Sequence, residues 1–393
     1  MRAMSPDSLK SVSILGVTGS VGQTTLRILR RHPDRFRAVA FVAGQNVAAL
    51  AALALEFRPA LAVIADARQG EALRAALAGT GIATAAGPDA VREAASQPAD
   101  VIVAAIVGAA GLAPAMTAIR QGATVALANK ESLVRAGPRM LETARRHGAR
   151  LLPIDSEHNA IFQVLTHERR DALLKIALTA SGGPFRTWSA EAMAQATPEQ
   201  ALRHPVWAMG PKISIDSATM MNKGLEIIEA CHLFGLPEDR VEAVIHPEST
   251  VHGLAWYRDG SVLAQLGPPD MAVPIAYALG WPKRLETDAR VLDLLALRTL
   301  TFAPVEADRF PCVALARAAF RAGGSAPVTL NAANEEAVAA FLAREINFTQ
   351  IPDIIQATLA SLPVLPIHSI DDVEYADRQA RQSARALCRR QAA

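Results

Sequence analysis

Asp155 and Glu157 stand two residues apart, directly after an apolar run from Arg150 to Ile154 that reads as a strand. In an extended chain that spacing points both carboxylates to the same side. Side by side they repel unless a cation or a proton joins them. An oxygen-only pair suits Mg²⁺ or Mn²⁺, with Co²⁺ as a further option, rather than zinc. Glu226 is the natural third ligand. A competing reading makes the pair an acidic helix start in front of a segment from His158 to Thr166.

A second concentration of chemistry runs from His204 to Glu226, HPVWAMGPKISIDSATMMNKGLE. The first part, His204 to Pro211, has Pro and Gly at both ends and reads as a loop that can move, with Trp207 and Met209 on it. His204 opens this loop and reads as a lid residue as readily as a structural one. Lys212 to Ile215 reads as a short strand. Asn222 is placed to cap a helix from Lys223 to Phe234, so that Asn222, Lys223 and Glu226 fall at or in a first turn, where an anion is favoured. The stretch reads as a site for a phosphorylated ligand. Upstream, Ser181-Gly182-Gly183-Pro184-Phe185 is a flexible turn presenting a hydroxyl.

The third candidate is Gly16-Val17-Thr18-Gly19-Ser20-Val21-Gly22, a G-x-x-G-x-x-G turn after the first strand and before the first helix. That placement suits a pyrophosphate, with no Cβ in its way and a helix N-terminus aimed at it. At the end of the second strand stands Gly44-Gln45-Asn46, with no acid until Glu56. The missing carboxylate removes the group that would repel a 2′-phosphate, which favours NADP over NAD. Asn129-Lys130-Glu131 follows a later strand end, and its lysine points at the cleft.

The elements that must position these groups alternate. Strands at 12–15, 38–43, 61–65, 100–105, 124–128 and 150–154 are separated by helices at 47–57, 69–77 and 113–121, the pattern of a parallel sheet covered on both faces. Strands at 173–179, 241–245 and 262–265 indicate a second, mixed sheet. Beyond Thr301 helical spacing prevails, at 312–322, 328–342, 351–359 and 369–390.

The 393 residues carry 51% hydrophobic and 20% charged side chains and a net charge of +2, which places the chain among globular proteins and gives no sign of a nucleic-acid partner. The apolar run from Val101 to Met116 is short and broken by Pro114, so no membrane span is expected. Cys231, Cys312 and Cys388 are far apart, as suits a reducing cytoplasm. His246 and His252 read as structural residues of a turn, and His232 as a core residue.

The motifs GVTGSVG, ANKESLV, PIDSEHNAIFQ, TASGGPF and HPVWAMGPKISIDSATMMNKGLEIIEA, supported by HPEST, DGSVLAQLGPPDM and LNAANEEAV, closely resemble the 1-deoxy-D-xylulose 5-phosphate reductoisomerase family over roughly residues 10–375. The resemblance implies an NADPH- and metal-dependent conversion of 1-deoxy-D-xylulose 5-phosphate to 2-C-methyl-D-erythritol 4-phosphate, on the non-mevalonate route to isoprenoids. Asp155, Glu157 and Glu226 would hold the cation. Lys130, Ser156 and Glu157 would contact the sugar chain, with Lys130, Glu157 and His204 closest to the chemistry. Ser181, Ser217, Asn222 and Lys223 would bind the phosphate, with His204 and Trp207 closing over it. Gly16, Thr18, Gly19, Ser20, Val21, Gly44, Gln45, Asn46, Asn129, Glu131 and Gly210 would hold NADPH. Two positions depart from the family pattern: Gln45 and Pro211 stand where basic residues are usual.

The expected fold is α/β: a Rossmann-like parallel sheet in residues 1–155, an α+β catalytic domain with a mixed sheet and a lid at 204–211 in residues 156–300, and an α-helical bundle in residues 301–393. The family further implies a cytoplasmic homodimer. Among alternatives, a short-chain reductase needs Tyr-x-x-x-Lys, which Tyr257, Tyr277 and Tyr375 all lack. A semialdehyde dehydrogenase needs a nucleophilic cysteine, and a mere nucleotide-binding module needs no convergent carboxylates.

Overall fold

The computed structural model describes residues 9–165, 167–207 and 209–392. Ala208 of the expected lid and Thr166 lie outside them. The chain packs into two compact units.

The first unit comprises residues 9–132, 140–159 and 270–290. Its sheet contains β1 (Lys10–Leu15), β2 (Phe36–Ala43), β3 (Leu61–Ile64), β4 (Ala83–Ala86), β5 (Val101–Ala104), β6 (Thr124–Leu127) and β7 (Arg150–Pro153). The order is β4-β3-β2-β1-β5-β6-β7, with every pairing parallel. Because both faces are covered, the strands are apolar throughout: Val12, Ile14, Phe41, Val63, Ile102, Val103 and Val125 have no exposed surface. The expected Rossmann-like sheet is therefore present. The strand Ala83–Ala86 and the helix Pro88–Ser96 behind it were not anticipated, since Ala-rich segments carry little periodic signal.

Residues 270–290, expected in the catalytic domain, instead belong to this unit. Arg27 Nη2 donates to Asp270 Oδ1 at 2.7 Å and Lys10 Nζ to the Leu279 carbonyl at 2.8 Å. The helix Ala272–Gly280 packs on the helix Ser20–Arg31. Its apolar side, Ala272, Ile275, Ala276 and Leu279, is buried.

The second unit comprises residues 133–139, 160–269 and 291–392. Its mixed sheet contains β8 (Leu173–Ala180), β9 (Val241–Ile245), β10 (Val251–Tyr257), β11 (Val262–Leu266) and β12 (Ala303–Pro304), in the order β11-β10-β8-β9-β12. Only β8 and β9 pair in parallel. The four expected C-terminal helices are present at Pro311–Ala322, Ala326–Leu342, Gln350–Ser361 and Ile370–Ala392.

These helices do not form a third core of their own. Ile176 and Leu178 of β8, Ile228 of the helix Met221–Phe234, and Leu330 and Phe341 of the bundle belong to one apolar cluster. The helices Met221–Phe234 and Pro311–Ala322 meet so closely at Gly224 that a Cβ there would lie 2.7 Å from the Ala316 Cβ. Residues 160–269 and 301–392 thus share a core, and the packing yields two units where the sequence reading had three domains. No described helix is long and apolar enough to cross a membrane.

Candidate functional site

In the first unit the candidate residues gather at the C-terminal edge of the parallel sheet, the side where α/β folds bind ligands. After β1 the chain turns at Gly16, whose φ of +99° and whose 2.6 Å clearance from a built Cβ to the Ala105 carbonyl oxygen admit only glycine. Gly19 stands at the cap position of the helix Ser20–Arg31 without a side-chain cap, so the N–H groups of that turn face outward. Gly22 lets the helix sit on the strand: a Cβ would lie 2.6 Å from the Val17 carbonyl carbon. The G-x-x-G-x-x-G spacing therefore performs the turn and packing tasks of a dinucleotide fingerprint. Gly44, Gln45 and Asn46 follow β2, with Asn46 Oδ1 capping the next helix through Ala49 N at 3.0 Å.

After β6, Asn129 caps the helix Lys130–His147 by accepting from Ser132 N at 2.7 Å, while its amide donates to the Gly108 carbonyl at 2.9 Å and to the Ile106 carbonyl. This joins the loop after β5 to the loop after β6. Glu131 is buried in the same turn.

Lys130, the first residue of that helix, places Nζ 2.5 Å from Asp155 Oδ2, and both side chains are nearly buried. His158 Nδ1 lies 3.6 Å from Asp155 Oδ1. Burial alone would raise the Asp155 carboxyl. The Lys130 ammonium beside it, with His158, holds it well below the ordinary value of 3.8. Asp155 is thus a carboxylate in its resting state. The segment is not extended, however: the strand stops at Pro153 and a helix runs over Ser156–Val164. The helix-start alternative describes the backbone, with Asn159 N donating to the Asp155 carbonyl at 2.8 Å. Glu157 accepts from the Ser156 hydroxyl in its first turn.

In the second unit, Ser181 follows β8. Its hydroxyl oxygen lies 2.9 Å from His204 Nε2 and accepts from Gly183 N at 3.1 Å. His204 Nδ1 accepts from Trp207 N at 2.8 Å and Val206 N at 3.2 Å. With Nδ1 an acceptor, the ring proton sits on Nε2 and is donated to Ser181. Burial pushes the His204 pKa down to about 4, so the imidazole is neutral at physiological pH. Gly183, at φ +68°, brings this turn against Ser217: a Cβ there would be 2.6 Å from the Ser217 carbonyl oxygen. The Trp207 ring lies 6.5 Å from that of His252, a buried residue of β10 whose pKa is likewise pushed down to about 4 by burial.

Two local expectations change. Pro211–Ala218 is a helix, not a strand, with Gly210 at its cap and Pro211 at its first position. The four-residue alternation Lys212 to Ile215 fits either state, and proline at the first helical position decides for the helix. The next helix begins at Met221, after Met220 in a left-handed conformation at φ +61°, so Asn222 lies inside it and Met220, not Asn222, holds the cap position. Asn222 Nδ2 and Lys223 Nζ instead both donate to the Glu226 carboxylate one turn on. Lys223 and Glu226 are buried, at 3% and 1% exposure.

Two residues that sequence reasoning passed over hold this region. Asp216 accepts from Lys212 Nζ at 2.6 Å and from Asn334 Nδ2 of the C-terminal helix Ala326–Leu342 at 2.8 Å. An acid within SIDSATMM, next to Ser217, was the available signal. His246 is structural, as expected, bonded to Val251 N and the Thr301 carbonyl and stacked on Phe302. His232, half-buried, packs on Phe320, and the three cysteines are free and buried.

The first unit is thus a parallel sheet of the dinucleotide-binding type with anionic and cationic groups at its C-terminal edge, and the second presents hydroxyls, an amide and a buried lysine. Comparison makes this specific. Residues 12–137 match the model of 1-deoxy-D-xylulose 5-phosphate reductoisomerase, and residues 151–234 and 266–383 match two models of its C-terminal domains. The reductoisomerase of Rhodospirillum centenum is 57% identical over 378 residues, covering 96% of this chain and 94% of that one. That of Ralstonia nicotianae is 54% identical, over 95% and 96%. The solved reductoisomerase of Zymomonas mobilis in complex with NADPH superposes with a TM-score of 0.93 at 49% identity, covering 97% of this chain and 99% of that one. A DOX-P reductoisomerase with NADPH, fosmidomycin and magnesium gives 0.92 at 45%, over 97% and 98%. The chain belongs to the 1-deoxy-D-xylulose 5-phosphate reductoisomerase family.

Proposed function

We propose that this protein rearranges and reduces 1-deoxy-D-xylulose 5-phosphate to 2-C-methyl-D-erythritol 4-phosphate with NADPH and a divalent cation, in isopentenyl diphosphate biosynthesis by the methylerythritol phosphate route. The observation that carries it is the near-full-length identity with named reductoisomerases, alongside a site whose groups have matching chemistry.

The residues fit both groups. The turn built on Gly16 and Gly22 presents a helix N-terminus without a side-chain cap, which suits a pyrophosphate. Asp155, Glu157 and Glu226, the ligands that the resemblance implies, would offer oxygen donors suited to Mg²⁺ or Mn²⁺, and also to Co²⁺. When bound, such a cation polarises substrate oxygens and stabilises anionic charge during carbon–carbon rearrangement, and NADPH supplies the hydride.

The chain's own side chains do the rest. Lys130 keeps Asp155 ionised and, with Ser156 and Glu157, contacts the sugar chain. Ser181, Ser217, Asn222 and Lys223 bind the phosphate. The neutral His204 orients the Ser181 hydroxyl by donating to its oxygen, which leaves the hydroxyl hydrogen for the anion. With a cation on Glu226, the Lys223 ammonium, which donates to that carboxylate here, would be available to the phosphate. The loop at 204–211, with Trp207, excludes water from the anionic intermediate. Thr18, Gly19, Ser20, Val21, Gly44, Gln45, Asn46, Asn129, Glu131 and Gly210 bind NADPH.

The protein acts as a cytoplasmic homodimer in this reading. The exposed apolar run Val291 (88%), Leu294 (57%), Leu295 (89%) and Phe302 (45%) supports pairing of two copies. Sedimentation of Leu295→Arg as a monomer would agree; an unaltered sedimentation coefficient would remove this run from the interface.

The test is NADPH oxidation with 1-deoxy-D-xylulose 5-phosphate, with product identification, with and without chelator. Methylerythritol phosphate formation that stops in excess chelator is expected. Unchanged turnover in chelator would overturn the metal assignment, and a reduced but unrearranged product would make the protein a simple dehydrogenase.

A further inference from the structure

We propose that Arg68 recognises the 2′-phosphate of NADPH, supplying the charge that Gln45 does not. The inference rests on the NADPH reading above and names the side chain that discriminates NADPH from NADH. At the end of β2, Gly44, Gln45 and Asn46 are exposed and uncharged, and a Cβ built at Gly44 would meet nothing within 4 Å. This is the strand end at which Rossmann-type folds read the adenosine ribose, by an acid for a hydroxyl or a base for a phosphate. The next acid along the chain, Glu56, is paired with Arg30 at 2.5 Å.

The neighbouring strand brings a cation to the same edge. β3 pairs with β2 in parallel, and beyond the strands the ladder continues through Ala65 N to the Ala43 carbonyl at 2.8 Å and Asp66 N to the Gly44 carbonyl at 3.0 Å. Two residues on stands Arg68. Its guanidinium is held by Asp66 at two points, Nε to Oδ1 at 3.0 Å and Nη2 to Oδ2 at 2.8 Å, and Asp66 Oδ1 also accepts from Arg68 N at 3.0 Å. The Asp66 side chain is only 12% exposed while that of Arg68 is 83% exposed. This carboxylate, saturated by these bonds, thus anchors an exposed guanidinium whose Nη1 and remaining Nη2 hydrogens meet no partner among the described residues. A planar fork with donors to spare is the group best matched to a phosphate. Arg68 is a specificity-determining residue in this assignment, and Asp66 its positioning residue.

The experiment uses the full chain and measures equilibrium binding of NADPH, NADH and 2′,5′-ADP by calorimetry, for the wild type, Arg68→Ala, Arg68→Lys and Arg68→Ala/Gln45→Lys. Arg68→Ala weakens NADPH and 2′,5′-ADP about tenfold and leaves NADH unchanged, the size expected of an exposed charge-assisted contact. Arg68→Lys retains part of the affinity, and Gln45→Lys restores NADPH binding from the adjacent strand end. Equal losses for NADPH and NADH, or no loss, in a wild type that prefers NADPH would overturn the role of Arg68 alone. A wild type that binds NADH as tightly as NADPH would overturn both this assignment and the NADPH reading, and would give Asp66 the ribose hydroxyls instead.

Discussion

Asn334→Ala probes how the C-terminal helices support the proposed phosphate site. Asn334 has no exposed surface, Asp216 has 1%, and the amide donates to the carboxylate at 2.8 Å. Removing a donor from a buried charged acceptor costs about 1.5–3 kcal/mol, and the void left by the amide brings the total to about 2–4 kcal/mol. The loss does not reach that of an uncompensated buried charge, because Lys212 remains on Asp216 at 2.6 Å. Asp216 sits in the helix Pro211–Ala218 immediately before Ser217, so loosening it blurs the position of the hydroxyl proposed above to bind phosphate. The assay is a double-mutant cycle of Asn334→Ala and Asp216→Ala in urea unfolding, with steady-state kinetics on each variant. A coupling of about 1.5 kcal/mol or more is expected, with KM for the sugar phosphate rising more than kcat falls. Additive losses across the cycle, or an unchanged KM in a destabilised Asn334→Ala, would refute the link between bundle and site.

Glu226→Gln is expected to abolish most turnover while leaving NADPH affinity near that of the wild type, because the glycine-rich turn is on the other unit; calorimetry beside kinetics separates the two, and near-normal turnover at saturating cation would discard the ligand role. Gly22→Ala drives a Cβ into backbone atoms of Val17, at 2.6 Å from its carbonyl carbon, and overpacking of this kind costs about 1–3 kcal/mol. Thermal unfolding should fall and NADPH binding weaken together, and a variant with unaltered NADPH affinity would contradict the role given to the turn. The His204 pKa lies below its ordinary 6.5, at about 4, so the folded state resists the proton that the unfolded state accepts. Its contribution to stability is therefore complete above pH 6.5 and is lost as pH falls toward 4. His204→Asn, which keeps an acceptor near the Nδ1 position without titrating, should flatten that part of the pH–stability profile; an identical profile would mean that His204 is not the group responsible.

Much of the first unit was legible in the chain because its signals are local. A parallel strand buried on both faces must be apolar along its length, so Val12 to Leu15 and Val101 to Ala104 announce themselves. Gly16 and Gly22 are required by a backbone conformation and a contact within a few residues of themselves. The carboxylates and Lys223 could be singled out because few side chains suit metal and phosphate chemistry, although the extended backbone assigned to Asp155-Ser156-Glu157 is a helix start.

What only the tertiary structure decided lies where residues distant in sequence meet. Lys212 to Ile215 has the same apolar alternation in a strand or a first helical turn, and burial of Ile215 in the second unit's core goes with the helix. The return of residues 270–290 to the first unit depends on Lys10 and Arg27, which lie more than two hundred residues away. The bundle's loss of independence depends on the close approach at Gly224. The Asp216–Asn334 bond and the placing of Asp66 beside Gly44 have the same origin. Residue type and local spacing specify what a segment can do and how its own backbone turns, because those energies are settled within a few residues. Which charge finds which partner is settled by packing between elements, and no short window of sequence contains that energy.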